Sequence, residues 1–148
     1  MNKFLTAAYY LCDFVSRAFT KFVTTPIRCR LFKKCGKNIS VGTHCKMNYS
    51  NITLGDSVSI GRNAEFICTR AQIIIGDHVM FGPHVFMITG GHRMDIRDRF
   101  MDEITNAEKR PEDDRDIVVC GDNWIGVSSQ VKCTLFRQQM HTFSAPVF

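Results

Sequence analysis

The sequence predicts an all-β fold, parallel strands wound round a shared core as a parallel β-helix, with one amphipathic α-helix in front and one inserted loop. Three observations carry that expectation. From Cys35 to His92 an aliphatic or aromatic residue returns about every sixth position. Residues 1–30 instead space their apolar side chains at three- and four-residue steps. Residues 92–116 are a charged run that suspends the six-residue beat until it resumes at Val119.

The repeat is read with an apolar residue first and a small residue or glycine often second. The segments are CGKNIS, VGTHCK, MNYSNI, LGDSVS, IGRNAE, FICTRA, IGDHVM, FGPHVF and MITGGH, headed by residues 35, 41, 47, 54, 60, 66, 75, 81 and 87. One extra residue precedes Leu54 and three precede Ile75. A period of six fits neither a helix nor a hairpin strand, and it marks a parallel β-helix of hexapeptides. The glycine after the leading residue is expected to let the backbone turn each corner.

The N-terminal stretch places Leu5, Ala8, Tyr9, Cys12, Val15, Phe19, Phe22 and Val23 on one helical face. Pro26 is expected to end that helix. Asp13, Arg17 and Lys21 interrupt the apolar run, so it is too short and too charged to span a bilayer. The net charge of +5 is concentrated here: residues 1–37 hold eight Lys/Arg and one acid. A basic head without a nucleic-acid-binding motif points away from nucleic acid and toward an anionic surface. Two partners suit the helix: the protein's own body or a sister subunit, and the inner face of a membrane touched peripherally, aided by Arg28, Arg30, Lys33, Lys34 and Lys37. Seven cysteines without a C-x-x-C spacing suggest neither a zinc knuckle nor a redox pair. Cys35, Cys45, Cys68, Cys120 and Cys133 sit among aliphatics and read as small hydrophobes of a reducing, cytoplasmic compartment.

The stretches IGDHVMFGPHVFMITGGHRMD and DIVVCGDNWIG are the most specific in the chain. Through them, residues 31–132 resemble the left-handed β-helix acyltransferases of the hexapeptide-repeat superfamily, above all the maltose and galactoside acetyltransferases and their polysaccharide-modifying relatives. The resemblance implies three hexads per coil of about 18 residues with each leading side chain inward. It also implies a homotrimer with sites between subunits, acetyl-coenzyme A as acyl donor, and a sugar or glycan hydroxyl as acceptor. It makes the loop of residues 92–116 a cover over the cleft and His92, at its base, the general base. Acyl transfer to a hydroxyl needs a group that takes a proton near neutral pH, and imidazole is that group. Asp95, or a backbone carbonyl, is expected to hold the other imidazole nitrogen. Trp124 of the WIG motif, with Gly126 and Val127, is expected to line the substrate side.

His44, His78 and His84 each stand fourth in a hexad. His78 and His84 fall on different faces and cannot meet at one metal within a subunit, so no metal is expected. A metal-dependent hydratase, as in the γ-class carbonic anhydrases of the same fold, is the lesser alternative. Beyond Val131 the tail KCTLFRQQMHTFSAPVF has no hexad pattern, where the family carries further coils. Read one frame over, its codons allow IPATNAYVFGAGI, a hexad-like continuation. Residues 133–148 are therefore expected to be an aberrant, truncated or frame-shifted end, and a catalytically impaired remnant is the second alternative.

Overall fold

The computed structural model describes residues 2–93 and 95–132. Helix α1 (Lys3–Phe19) is opened by Asn2, whose side chain accepts the Phe4 N–H at 3.2 Å. A five-residue π turn (Thr20–Thr24) joins it to α2 (Thr25–Leu31). Pro26 does not end the helix, contrary to the sequence expectation. It sits in the first turn of α2, where its missing N–H is not required, and the wider π turn comes just before it.

Twelve short strands follow among the described residues. They are β1 (Lys34–Cys35), β2 (Ser40–Val41), β3 (Lys46–Met47), β4 (Ile52–Leu54), β5 (Ser59–Ile60), β6 (Glu65–Ile67), β7 (Ile73–Ile75), β8 (Val79–Phe81), β9 (Phe86–Ile88), β10 (Ile117–Val119), β11 (Asn123–Ile125) and β12 (Gln130–Lys132). Every strand pairs in parallel with the strand three places away. The result is three four-stranded sheets, β1-β4-β7-β10, β2-β5-β8-β11 and β3-β6-β9-β12. The chain visits the three sheets in turn four times, a topology compatible with a parallel β-helix.

The residues that head the sequence repeat are the inner ones. Val41, Leu54, Ile60, Phe66, Ile75, Phe81, Met87, Val119 and Ile125 are buried, and Cys35, Met47 and Val131 pack against them. A second inner file was not read from the sequence. Val58, Ala64, Val79 and Val85, fifth in their hexads, are also buried, and Ile39 and Cys45 pack beside the core. Asn123 and Ser129 take these places in the last coil, where they donate to the carbonyls of Cys120 and Gly126 at 2.8 and 3.0 Å.

The turns are not made by glycine. No glycine has a positive φ; the left-handed positions are Asn38, His44, Ser57, Asn63, His78, His84, Asp122 and Ser128, each fourth in its hexad. The glycines serve close approach instead. A Cβ on Gly36 would lie 2.3 Å from the Gly55 carbonyl oxygen, and one on Gly76 would lie 2.7 Å from the Gly121 nitrogen.

Helix α2 covers the first coil. Thr25 and Phe32 are buried, and the Phe32 ring meets Tyr49 edge-on at 5.0 Å. Ladder bonds run from N–H groups of one coil to carbonyls of the next, as in Gly42 N–H to Ile60 at 2.8 Å. The equivalent carbonyl of Val41 therefore has no coil beneath it, and Arg28 Nη1 supplies the donor, 3.3 Å from Val41 O and 2.7 Å from Gly42 O. By contrast, no residue of α1 is buried, so α1 does not pack on the body of its own chain. The thiols divide by depth. Burial pushes Cys68 up to about 11, and burial together with the neighbouring Cys29 pushes Cys35 up to about 12. Cys120, read from the sequence as a small hydrophobe, is exposed because it stands second in its hexad, on the outer side. Cys133 and the expected aberrant tail, residues 133–148, lie outside the described residues.

Candidate active site

All the extra residues of the repeat fall at one corner, between the third sheet and the first. One is added between β3 and β4, three between β6 and β7, and the long loop between β9 and β10. The loop is zipped at its base. Gly90 and Asp114 form an antiparallel bridge, the Gly91 N–H reaches Asp113 O at 3.1 Å, and the Arg115 N–H reaches Thr89 O at 3.2 Å. This explains the first glycine of the Gly-Gly-His run: a Cβ on Gly90 would lie 2.3 Å from Asp114 Oδ1. His92 is the second residue beyond the bridge, where the chain has just left the coil.

A cleft of about 170 Å³ opens at this root. Its floor is Ile67, Ile88 and Thr89, and its rim holds His92, Arg70, Lys109 and Asp114. His92 is exposed, and among the described residues its imidazole has no hydrogen-bond partner. Arg70, from the same corner one coil earlier, ties the loop down. It donates to Asn106 O at 2.9 Å and Lys109 O at 3.4 Å, and its Nε lies 3.2 Å from Asp114 Oδ2. The Asp114 side chain is only 8% exposed, and Oδ2 makes no hydrogen bond among the described residues, so this contact is electrostatic. Arg70, Lys109 and Asp114 were not singled out from sequence. The signal available for Arg70 was the extra length at its corner; the loop residues carried no periodic signal.

The other expected site residues lie elsewhere. Asp95 does not hold His92. Its carboxylate takes both fork nitrogens of Arg93, at 3.0 and 2.7 Å, with Arg110 at 3.6 Å, and the Arg93 bonds hold its pKa down at about 2. A guanidinium two residues away matches a carboxylate with two parallel charge-assisted bonds, and a neutral imidazole offers one. Arg93 also donates to Glu108 O at 2.9 Å. Glu108 accepts from Thr105 N–H and hydroxyl at 2.9 and 2.8 Å and pairs with Arg99; the Arg99 bond is the main cause of its lowered pKa, about 2. The loop is thus held by charge pairs rather than by a core.

Trp124 is 72% exposed on β11, beside Met80 of β8 in the second sheet. The cleft is built where the third sheet hands over to the first, so within one chain Trp124 does not line it. Gly126 and the exposed Val127 follow in the turn between the second and third sheets, also away from His92. His44, His78 and His84 occupy left-handed corner positions, and His84 Nε2 lies 3.2 Å from Asn63 Nδ2 of the coil before. Among the described residues no three His, Cys, Asp or Glu side chains are grouped to hold a metal ion. Also among them, no helix is long and apolar enough to cross a membrane. Comparison with protein-family models, with curated proteins and with solved structures gave no match.

Proposed function

We propose that the protein is an acyltransferase that moves an acetyl group from acetyl-coenzyme A to a hydroxyl of a sugar or glycan. We take its coil to be a left-handed one built of hexapeptides. The observation that carries this reading is the place of His92: an exposed imidazole without a hydrogen-bond partner among the described residues, at the mouth of a cleft and at the root of the one long loop leaving the coil. In this reading the acceptor oxygen attacks the thioester carbonyl carbon while His92 takes its proton. The carbon–sulfur bond then breaks, and the imidazolium returns the proton to the departing thiolate. With Arg70 offset by Asp114, Lys109 gives the rim positive charge toward an anionic donor.

The cleft's size supports a site completed by a second copy. Sites for molecules as large as coenzyme A run to several hundred Å³, so about 170 Å³ accommodates the reacting groups only. Trp124, Gly126 and Val127 would then serve a neighbouring subunit's His92 in a homotrimer, which agrees with their place on another sheet. The test is acetyl transfer from acetyl-coenzyme A to a panel of sugars. His92→Ala is expected to lower kcat/KM by roughly 10²–10⁴-fold, with thermal unfolding unchanged. No transfer to any sugar by the unaltered chain, or full activity in the variant, overturns the reading.

A further inference from the structure

Helix α1 is a face without an occupant. Phe4, Leu11 and Phe19 are 78%, 65% and 57% exposed, and Leu5 and Val15 are open as well. Advancing 100° per residue, these side chains fall on one side of the helix, and Thr6, Asp13 and Arg17 fall on the other, with the exposed aromatics Tyr10 and Phe14 beside them. An apolar stripe of this extent is not left in water by a stable protein without a purpose.

We infer that α1 lies flat on an anionic lipid surface, with this stripe sunk among the acyl chains and the basic residues around it meeting the headgroups. Charge decides between the two available occupants. Of the eight Lys/Arg in residues 1–37, Arg17 pairs with Asp13, Arg28 is spent on the first coil's carbonyls, and Lys33 bonds Gln72 at 2.8 Å. That leaves Lys3, Lys21, Arg30, Lys34 and Lys37 exposed, with Asp13, the one acid of residues 1–37, already paired. A bundle of α1 helices from several copies would bring these cations no counter-charge. An anionic membrane neutralises them. The helix is suited to lie in the interface, not to cross it: Asp13 and Arg17 interrupt its length and Lys21 follows its end. This inference stands apart from the acetyl-transfer reading, since α1 has no part in the cleft.

The experiment is co-sedimentation of the full chain with vesicles of pure phosphatidylcholine and with vesicles in which a third of the lipid is phosphatidylglycerol. Binding is expected to the second only, and to fall as salt is raised, since salt screens charge. Leu11→Glu with Phe19→Glu should abolish it. The unfolding temperature should hold, because neither side chain is buried. Arg30→Gln, Lys34→Gln and Lys37→Gln together leave the apolar stripe intact and should weaken binding on the order of a hundredfold, at roughly fivefold per cation. Failure to sediment with anionic vesicles overturns the inference, as does equal binding to both lipids. So does a mass in solution that drops on Leu11→Glu with Phe19→Glu, which would show that α1 instead joins copies of the chain.

Discussion

His78 shows what a corner asks of a single residue. It is exposed, its φ is 57°, and its N–H bonds Asp56 O of the preceding coil at 2.8 Å. The left-handed backbone, not the imidazole, is what the fold uses there. A β-branched residue at such a φ is a steric misfit, costing roughly 1–2 kcal/mol or more, whereas glycine adopts it freely. His78→Val should therefore destabilise the protein by about that amount in chemical denaturation, and His78→Gly should not. Equal losses from both would show that the side chain matters. Residue types at these places reported little in the sequence, because serine, asparagine, aspartate and histidine are as common in ordinary loops. Asp95 departs from the sequence expectation for a related reason. Its spacing from His92 was visible, but the nearer and better-matched Arg93 decides where the carboxylate goes.

At the scale of the element, the strands are two or three residues long and have no stability apart from their stacking. Their glycines set how closely the coils approach. A Cβ on Gly55 would sit 2.3 Å from Asp77 Oδ1 and 2.7 Å from the Gly76 carbonyl carbon, whereas among the described residues one on Gly126 would meet nothing nearer than Ser129 Oγ at 3.9 Å. Gly55→Ala should then cost about 1–3 kcal/mol by overpacking, and Gly126→Ala should stay within roughly 0.5 kcal/mol. Thermal unfolding of the two variants checks the contrast, and similar behaviour would deny the glycine file its role. The leading apolar positions were legible because large side chains recur against a polar background. The inner fifth positions were not, because valine and alanine there are small and the frame had been set on the leading residue. The helix runs on past Pro26 because a π turn, which leaves no periodic trace in the sequence, precedes it.

Across the whole molecule, two kinds of cohesion meet. The coil is held by aliphatic burial and ladder bonds, whereas residues 95–113 are held chiefly by carboxylates paired with arginines, with Arg70 and Arg93 also bonding loop carbonyls. Asp95 and Glu108 titrate at about 2 in the folded loop, below the ordinary carboxylate range near 4. Groups shifted downward stabilise fully above that ordinary range, and their contribution is lost as pH falls from about 4 through about 2. The loop should therefore stay closed at pH 4 and open near pH 2, while the buried core of the coil persists. Limited digestion with pepsin, active at both values, should cut between residues 93 and 113 only at the lower one. Cleavage there at pH 4, or joint loss of loop and coil, would contradict this division. The fold was readable from the chain because repetition amplifies a weak pattern. The cleft was readable only at His92, because its other walls come from a loop without repetition and from Arg70 one coil away.

The corner between the third and first sheets takes up one extra residue, then three, then a loop of more than twenty, and the pairing above it keeps its register each time. Elsewhere an added residue would throw every later rung out of line. Here it only lengthens a bulge. That edge is thus a natural place for grafting. A foreign peptide spliced in beside Arg70 would be displayed next to the cleft without rebuilding the column beneath it, so the molecule's reach can be altered independently of its frame.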